Sequence, residues 1–265
     1  MAHLGSRSAR LSSQLGEEDG TIPRVIVVLT MIEGRLVRTR RFGSPSYIGD
    51  PINTVRIFSE KGADELLLLD IGGKDLQPSA MPFLADIAAE ALVPIAYGGG
   101  IRTIDHVRSV IRSGFEKVVL NTVLHSTPSV ATQAAEEFGS QAVIGSIDVR
   151  TELLGRQSVR SRCGRQQTGA DSIEHAKACE QAGCGEILLT SIDRDGSMRG
   201  YDLELVRRVA SAVSVPVIAM GGAGGRHDLE AALSAGASAV AAGSLFVYWG
   251  PRRAVLINYP DDCRW

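Results

Sequence analysis

Residues 93–122, VPIAYGGGIRTIDHVRSVIRSGFEKVVLNT, align without a gap on residues 215–244, VPVIAMGGAGGRHDLEAALSAGASAVAAGS. A Val-Pro pair, a Gly-Gly pair, a helix-ending glycine (Gly114 and Gly236) and a strand valine (Val118 and Val240) coincide. ADELLLLDI (63–71) likewise matches CGEILLTSI (184–192). Self-similarity at so long a period marks one duplicated half rather than a solenoid of short repeats. Each half must therefore supply the same secondary structure to one shared core.

Short runs rich in Val, Ile and Leu recur through both halves. They are RVIVVL (24–29), ELLLLDI (65–71), PIAYGGG (94–100), KVVLNT (117–122), AVIGSID (142–148), EILLTSID (186–193), PVIAMGG (216–222) and AVAAGS (239–244). These runs do not alternate polar and apolar residues. Continuous apolar strands are buried on both faces, the mark of a parallel sheet covered by helices. Amphipathic helical patterns such as TIDHVRSVIRSG and DLELVRRVASAV lie between them. Two βαβαβαβα halves predict an α/β fold, a (β/α)8 TIM barrel with an internal half-barrel repeat.

A length of 265 residues suits one such barrel, and residues 23–265 are assigned to it. Residues 1–22 lack the apolar core of a signal peptide and read as a disordered N-terminal extension or the product of an early start codon. A net charge of −2 argues against nucleic acid or an anionic membrane as a bulk partner, so any phosphate binding must be local. No apolar stretch reaches membrane-spanning length. Cys163, Cys179, Cys184 and Cys263 show no zinc spacing and read as free thiols of a cytoplasmic protein. No metal or nucleotide motif is present, and no cofactor is expected.

In a barrel of this kind the C-terminal strand ends converge on one mouth, which is the site. Gly99-Gly100 and Gly221-Gly222 each close a strand and open a helix. Asn121-Thr122 and Gly243-Ser244 do the same one strand later. Backbone N–H groups turned inward at a helix start attract phosphate. Two such nests across a pseudo-two-fold suit a ligand with a phosphate at each end. The plainer alternative is that the glycines only satisfy tight strand-to-helix turns. In TSIDRDG (190–196), two carboxylates and a glycine end the sixth strand. They could cap a helix, bind ribose hydroxyls or position a substrate.

The segments FGSQAV, EILLTSIDRDG, GGGI and GGAG resemble the HisF family, the cyclase subunit of imidazole glycerol phosphate synthase. The resemblance spans roughly residues 24 to 258. It implies a half-repeated barrel that takes ammonia from a HisH-type glutaminase at the barrel bottom. At the mouth, ammonia joins a bis-phosphorylated ribulosyl aminoimidazole, giving imidazole glycerol phosphate and an aminoimidazole carboxamide ribotide. The implied phosphate-binding set is Gly99, Gly100, Asn121, Thr122, Asp195, Gly196, Gly221, Gly222, Gly243 and Ser244. The implied ammonia gate is Arg24, Glu65, Lys117 and Glu186, each at the start of its strand. Gln141 and Glu116 fall on the partner-facing end.

The family uses two aspartates, on strands one and five, as general acid and base. Strand five keeps Asp148, but strand one has Thr30. A hydroxyl does not titrate near neutrality and cannot replace a carboxylate. The family's loop-one lysine falls on Arg38, and Glu33 is the carboxylate closest along the loop. GDPINTVRIFSEKGADEL and SLFVYWGPRRAVLINYP resemble a divergent branch from surface-polysaccharide gene clusters. That resemblance implies a glutaminase partner and a separate sugar amidotransferase that makes an acetamidino group. Three other readings stay open: a genuine cyclase of histidine biosynthesis, a non-catalytic phosphate-binding scaffold, and the related sugar-phosphate isomerase barrel.

Overall fold

The structure is a computed structural model that describes residues 22–152 and 155–263. The expected disordered extension lies, but for residue 22, outside the described residues. Eight strands form the barrel: β1 (Arg24–Ile32), β2 (Glu65–Asp70), β3 (Ile95–Gly98), β4 (Lys117–Leu120), β5 (Val143–Thr151), β6 (Glu186–Ser191), β7 (Val217–Met220) and β8 (Ala239–Ala242). Each pairs in parallel with the next, and β8 pairs with β1, so the sheet closes without an edge. Helices α1 (Pro51–Glu60), α2 (Met81–Ala89), α3 (Ile104–Arg112), α4 (Thr122–Ser126), α5 (Ser129–Phe138), α6 (Ser172–Gln181), α7 (Leu203–Ala210), α8 (Arg226–Ser234) and α9 (Ser244–Val247) fill the connections.

The local chemistry explains these boundaries. Thr103 caps α3 by accepting from the His106 N–H, and Asp202 caps α7 by accepting from the Leu205 N–H. The repeated glycines Gly114 and Gly236 follow α3 and α8 at φ of +101° and +105°, a conformation that stops a helix. β3 ends at Gly98, short of its apolar run, because Gly99 and Gly100 turn to φ of +141° and +64° and leave the sheet.

Alternate strand residues enter two different apolar layers. Ile26, Val28, Leu67, Ala96, Val119, Ile144, Leu188, Ile218 and Ala241 fill the bore. Val25, Val27, Leu66, Leu68, Val118, Ile187, Val217 and Val240 pack in the layer shared with the helices. Both faces are apolar, which is why the strands read as uninterrupted runs.

Three hairpins were not anticipated. β1 runs on past Thr30 to Ile32 and pairs antiparallel with Arg35–Arg38, which pairs with Ser46–Gly49. β5 runs on past Asp148 and pairs with Gln157–Ser161, which pairs with Gln166–Gln167. A short pair, Tyr248–Trp249 with Ala254–Val255, follows α9. All three stand at the C-terminal end of the barrel. No helix among the described residues is long and apolar enough to cross a membrane.

Candidate functional site

Arg24, Glu65, Lys117 and Glu186 open β1, β2, β4 and β6 and share the inward parity of the bore residues. They meet in one closed ring. Arg24 reaches Glu65 at 2.5 Å and Glu186 at 2.7 Å. Lys117 reaches Glu65 at 2.9 Å and Glu186 at 3.2 Å. Each cation therefore touches both carboxylates, and the ring carries no net charge. Burial disfavours the charged form of Arg24, yet Glu186 and Glu65 together hold its pKa above the ordinary value. The repeat pairs Glu65 with Glu186 but pairs Lys117 with Ala239, so the turn does not dictate the lysine. Gln141 and Glu116 are exposed at this same end. The Gln141 amide donates to the Phe138 carbonyl at 3.1 Å, within its own turn.

At the opposite end, Asp148 is 8% exposed. Burial pushes its carboxyl up to about 7, with the Thr190 hydroxyl opposing and Asp195 adding to the effect. Asn121 donates its amide to Asp148 at 3.2 Å and to the Ser146 carbonyl at 3.1 Å. Such a group is poised to take or give a proton near neutral pH. Thr30 brings no second carboxylate. Its buried hydroxyl donates to the Val37 carbonyl and ties β1 to its own hairpin. Glu33 does not take over the role either. It turns out to solvent at φ +50° and pairs with Lys74 at 2.8 Å.

The two glycine nests have matching backbones. The Gly100 carbonyl accepts from the Leu76 N–H at 3.0 Å, and the Gly222 carbonyl accepts from the Gly200 N–H at 2.8 Å. A Cβ on Gly100 would lie 2.5 Å from the Leu76 nitrogen, and one on Gly222 only 2.1 Å from the Gly200 oxygen. The plainer reading of these glycines is thus met as well, since the loops after β2 and β6 dock on them without any ligand.

The nests differ in charge. Beside the second, Arg38 lies buried, 3.7 Å from the Asp195 carboxylate and 3.3 Å from the Val28 carbonyl. A Cβ on Gly243 would sit 2.1 Å from the Arg38 Nη1. Burial lowers the Arg38 pKa and raises that of Asp195; their mutual attraction opposes both shifts without reversing either. The Arg38 Nε and the Ser244 Oγ are buried with no hydrogen-bond partner among the described residues. Arg38, Asp195, Gly196, Gly221, Gly222, Gly243 and Ser244 line the remaining space, about 10 Å³, roughly one water molecule. An anion larger than that needs the guanidinium to move. Among the described residues no other arginine or lysine is buried, so the first nest has no counterpart of Arg38. Its Thr122 hydroxyl accepts from the Arg162 N–H at 3.1 Å, so the hairpin after β5 already leans on it. The symmetric pair read from the sequence is therefore symmetric in backbone only.

The carboxylates of TSIDRDG divide their work, and neither caps a helix. Asp193 accepts from the Thr151 N–H at 2.6 Å and holds β5, while Asp195 faces Arg38. Sequence reasoning missed Thr190, which modulates Asp148, and Cys163, whose thiol donates to the Ile71 carbonyl at 3.6 Å across the mouth. Parity along β6 could have found Thr190. Cys163 carried no signal, because the hairpin that places it was not read.

Comparison with known proteins agrees with this architecture. The family model described as "Histidine biosynthesis protein" matches residues 24–250. The chain is 49% identical over 240 residues to a Pseudomonas aeruginosa protein provisionally named imidazole glycerol phosphate synthase subunit hisF2, covering 90% of this chain and 96% of that protein. It is 41% identical over 242 residues to a Leptospira interrogans protein provisionally named as the HisF subunit, covering 90% and 95%. It is 41% identical over 227 residues to the imidazole glycerol phosphate synthase subunit HisF of Alkaliphilus metalliredigens, covering 85% and 90%. With its closed parallel barrel and its duplicated halves, the chain belongs to the histidine-biosynthesis barrel family and, within it, to the HisF-like proteins.

Proposed function

We propose that this chain is the synthase subunit of a glutamine-dependent complex. A HisH-type glutaminase docks at the floor, near Gln141 and Glu116, and ammonia passes the ring of Arg24, Glu65, Lys117 and Glu186 into the bore. The apolar lining favours neutral ammonia over ammonium, whose desolvation is costly. The ammonia then serves C–N bond formation on a phosphorylated or sugar-nucleotide substrate. The acceptor step belongs to a separate sugar amidotransferase that makes an acetamidino group for a surface polysaccharide.

One observation carries this reading: the floor keeps four mutually paired charges, while at the roof Thr30 stands where cyclase chemistry has the second of its two aspartates. Ring closure needs one group to take a proton and another to give one. Thr30, with its hydroxyl committed to Val37, supplies neither. A second reading, the cyclase of histidine biosynthesis, is favoured by Asp148, whose carboxyl at about 7 serves as acid and base in turn.

The test is turnover of the bis-phosphorylated substrate with free ammonia. We expect the chain to be slower than a two-aspartate homologue by about 10²-fold or more, the size of an acid–base contribution. Thr30→Asp should recover part of it. Equal turnover in the unmodified chain would establish the histidine enzyme instead.

A further inference from the structure

Six large hydrophobic side chains among the described residues are exposed: Ile22, Tyr47, Leu92, Trp249, Val255 and Leu256. Ile22 and Leu92 precede β1 and β3, at the floor. The other four lie at the roof, on two elements. Tyr47 is on the hairpin after β1 and is 64% exposed. Trp249, 65% exposed, and Val255 are on the C-terminal hairpin, and Leu256 follows it. The two elements border one stretch of the mouth. The position of a Cβ on Gly49 is 3.9 Å from the Ile257 side chain. Arg253 stacks 4.6 Å over Tyr248 and donates to the Gly196 carbonyl at 3.0 Å, beside the second nest.

Within the two roof segments every charged side chain is positive. Segment 35–49, RLVRTRRFGSPSYIG, contains four arginines and no carboxylate. Segment 248–259, YWGPRRAVLINY, contains two arginines and no carboxylate. Arg35, Arg40, Arg41 and Arg252 are exposed. A small phosphorylated ligand accounts for cations near the nests. It does not account for an indole and two aliphatic side chains facing water outside them.

We propose that this aromatic and basic rim is a docking surface for a second protein that caps the mouth with an acidic face around an apolar centre. Exposed Trp and Tyr among arginines have the composition of interface anchors. A second copy of this chain is a poor occupant, because pairing like rims would set arginine against arginine. The surface lies at the opposite end of the barrel from the ring, so a floor partner and a roof partner could bind together. That the roof partner consumes what the mouth delivers rests on the function proposed above; the docking does not.

The experiment places a photo-reactive benzoylphenylalanine at Tyr47, at Trp249 or, as a floor control, at Leu92, each in the full chain in its own cells. These side chains are solvent-facing, so folding is preserved. The expected result is that Tyr47 and Trp249 cross-link to one and the same protein, which Leu92 does not capture. The purified pair should bind with an affinity that falls as salt rises. Arg252→Glu should weaken it about tenfold, the scale of a lost or reversed interfacial charge. No cross-link from either roof position, different proteins from the two, capture of a second copy, or binding indifferent to Arg252→Glu would each overturn the proposal. The turnover assay above tests the proposed function against the cyclase reading separately, since it needs no roof partner.

Discussion

Asp148→Asn should make the protein more stable at pH 8 and leave it unchanged at pH 4. Burial raises the Asp148 carboxyl from 3.8 to about 7 in the folded chain. Between those values the folded state holds a proton that the unfolded state has released. Stability contributed by the neutral acid is therefore fully present below about pH 4 and is lost as pH rises towards 7. The full loss is on the order of 4 kcal/mol, from about 1.36 kcal/mol per pKa unit. An amide at this position never charges, and its oxygen can still accept from Asn121, which now donates at 3.2 Å. The assay is urea unfolding of both proteins at intervals from pH 4 to pH 8. Titrating groups that do not interact with Asp148 cancel in the difference between the two curves. A difference that stays flat with pH would refute the claim that Asp148 is buried against its charge.

Lys117→Ala removes one cation from the ring and leaves Glu65 and Glu186 sharing Arg24. In the complex with a glutaminase, glutamate release should exceed aminated product; a ratio that stays near one to one would reduce the ring to a solvated rim. Gly243→Ala would press a methyl into the Arg38 guanidinium, at 2.1 Å from Nη1. It should cost about 1–3 kcal/mol in urea unfolding, as overpacking does, and Arg38→Ala in the same chain should relieve it. Crystals soaked in inorganic phosphate should show density at both nests, at the second with the Arg38 guanidinium displaced from its place against Gly243. Empty nests in those crystals would remove the phosphate assignment.

The barrel was legible because its strands are apolar on both faces and its halves repeat. The four floor charges were named by the family resemblance and by their places at the strand starts; their shared parity with the bore, which brings them together, is seen only in the structure. The hairpins were not legible. RLVRTRRFGSPSYIG shows neither a helical period nor a long apolar run, and its pairing with β1 is fixed by tertiary contact. Missing the first hairpin hid where Arg38 goes. Its meeting with Gly243 joins the first strand's loop to the last strand's end, and no local pattern in either segment encodes that contact. Glu33 fell within reach by numbering alone; the turn at φ +50° points it out to Lys74.

Thr30 and Arg38 then belong to one arrangement rather than two separate substitutions. The Thr30 hydroxyl donates to Val37, the residue before Arg38, and so fixes where the arginine leaves the hairpin. From there the guanidinium reaches the Val28 carbonyl, back on β1, and faces Asp195 across the mouth. A carboxylate at position 30 could not donate to Val37. It would repel that carbonyl and compete with Asp195 for Arg38. An aspartate on strand one would therefore draw Arg38 towards β1 and away from Asp195 and the second nest. The roof pairs the hydroxyl with the arginine, so a side chain that does not titrate near neutrality on β1 goes together with a second nest filled by the protein's own cation.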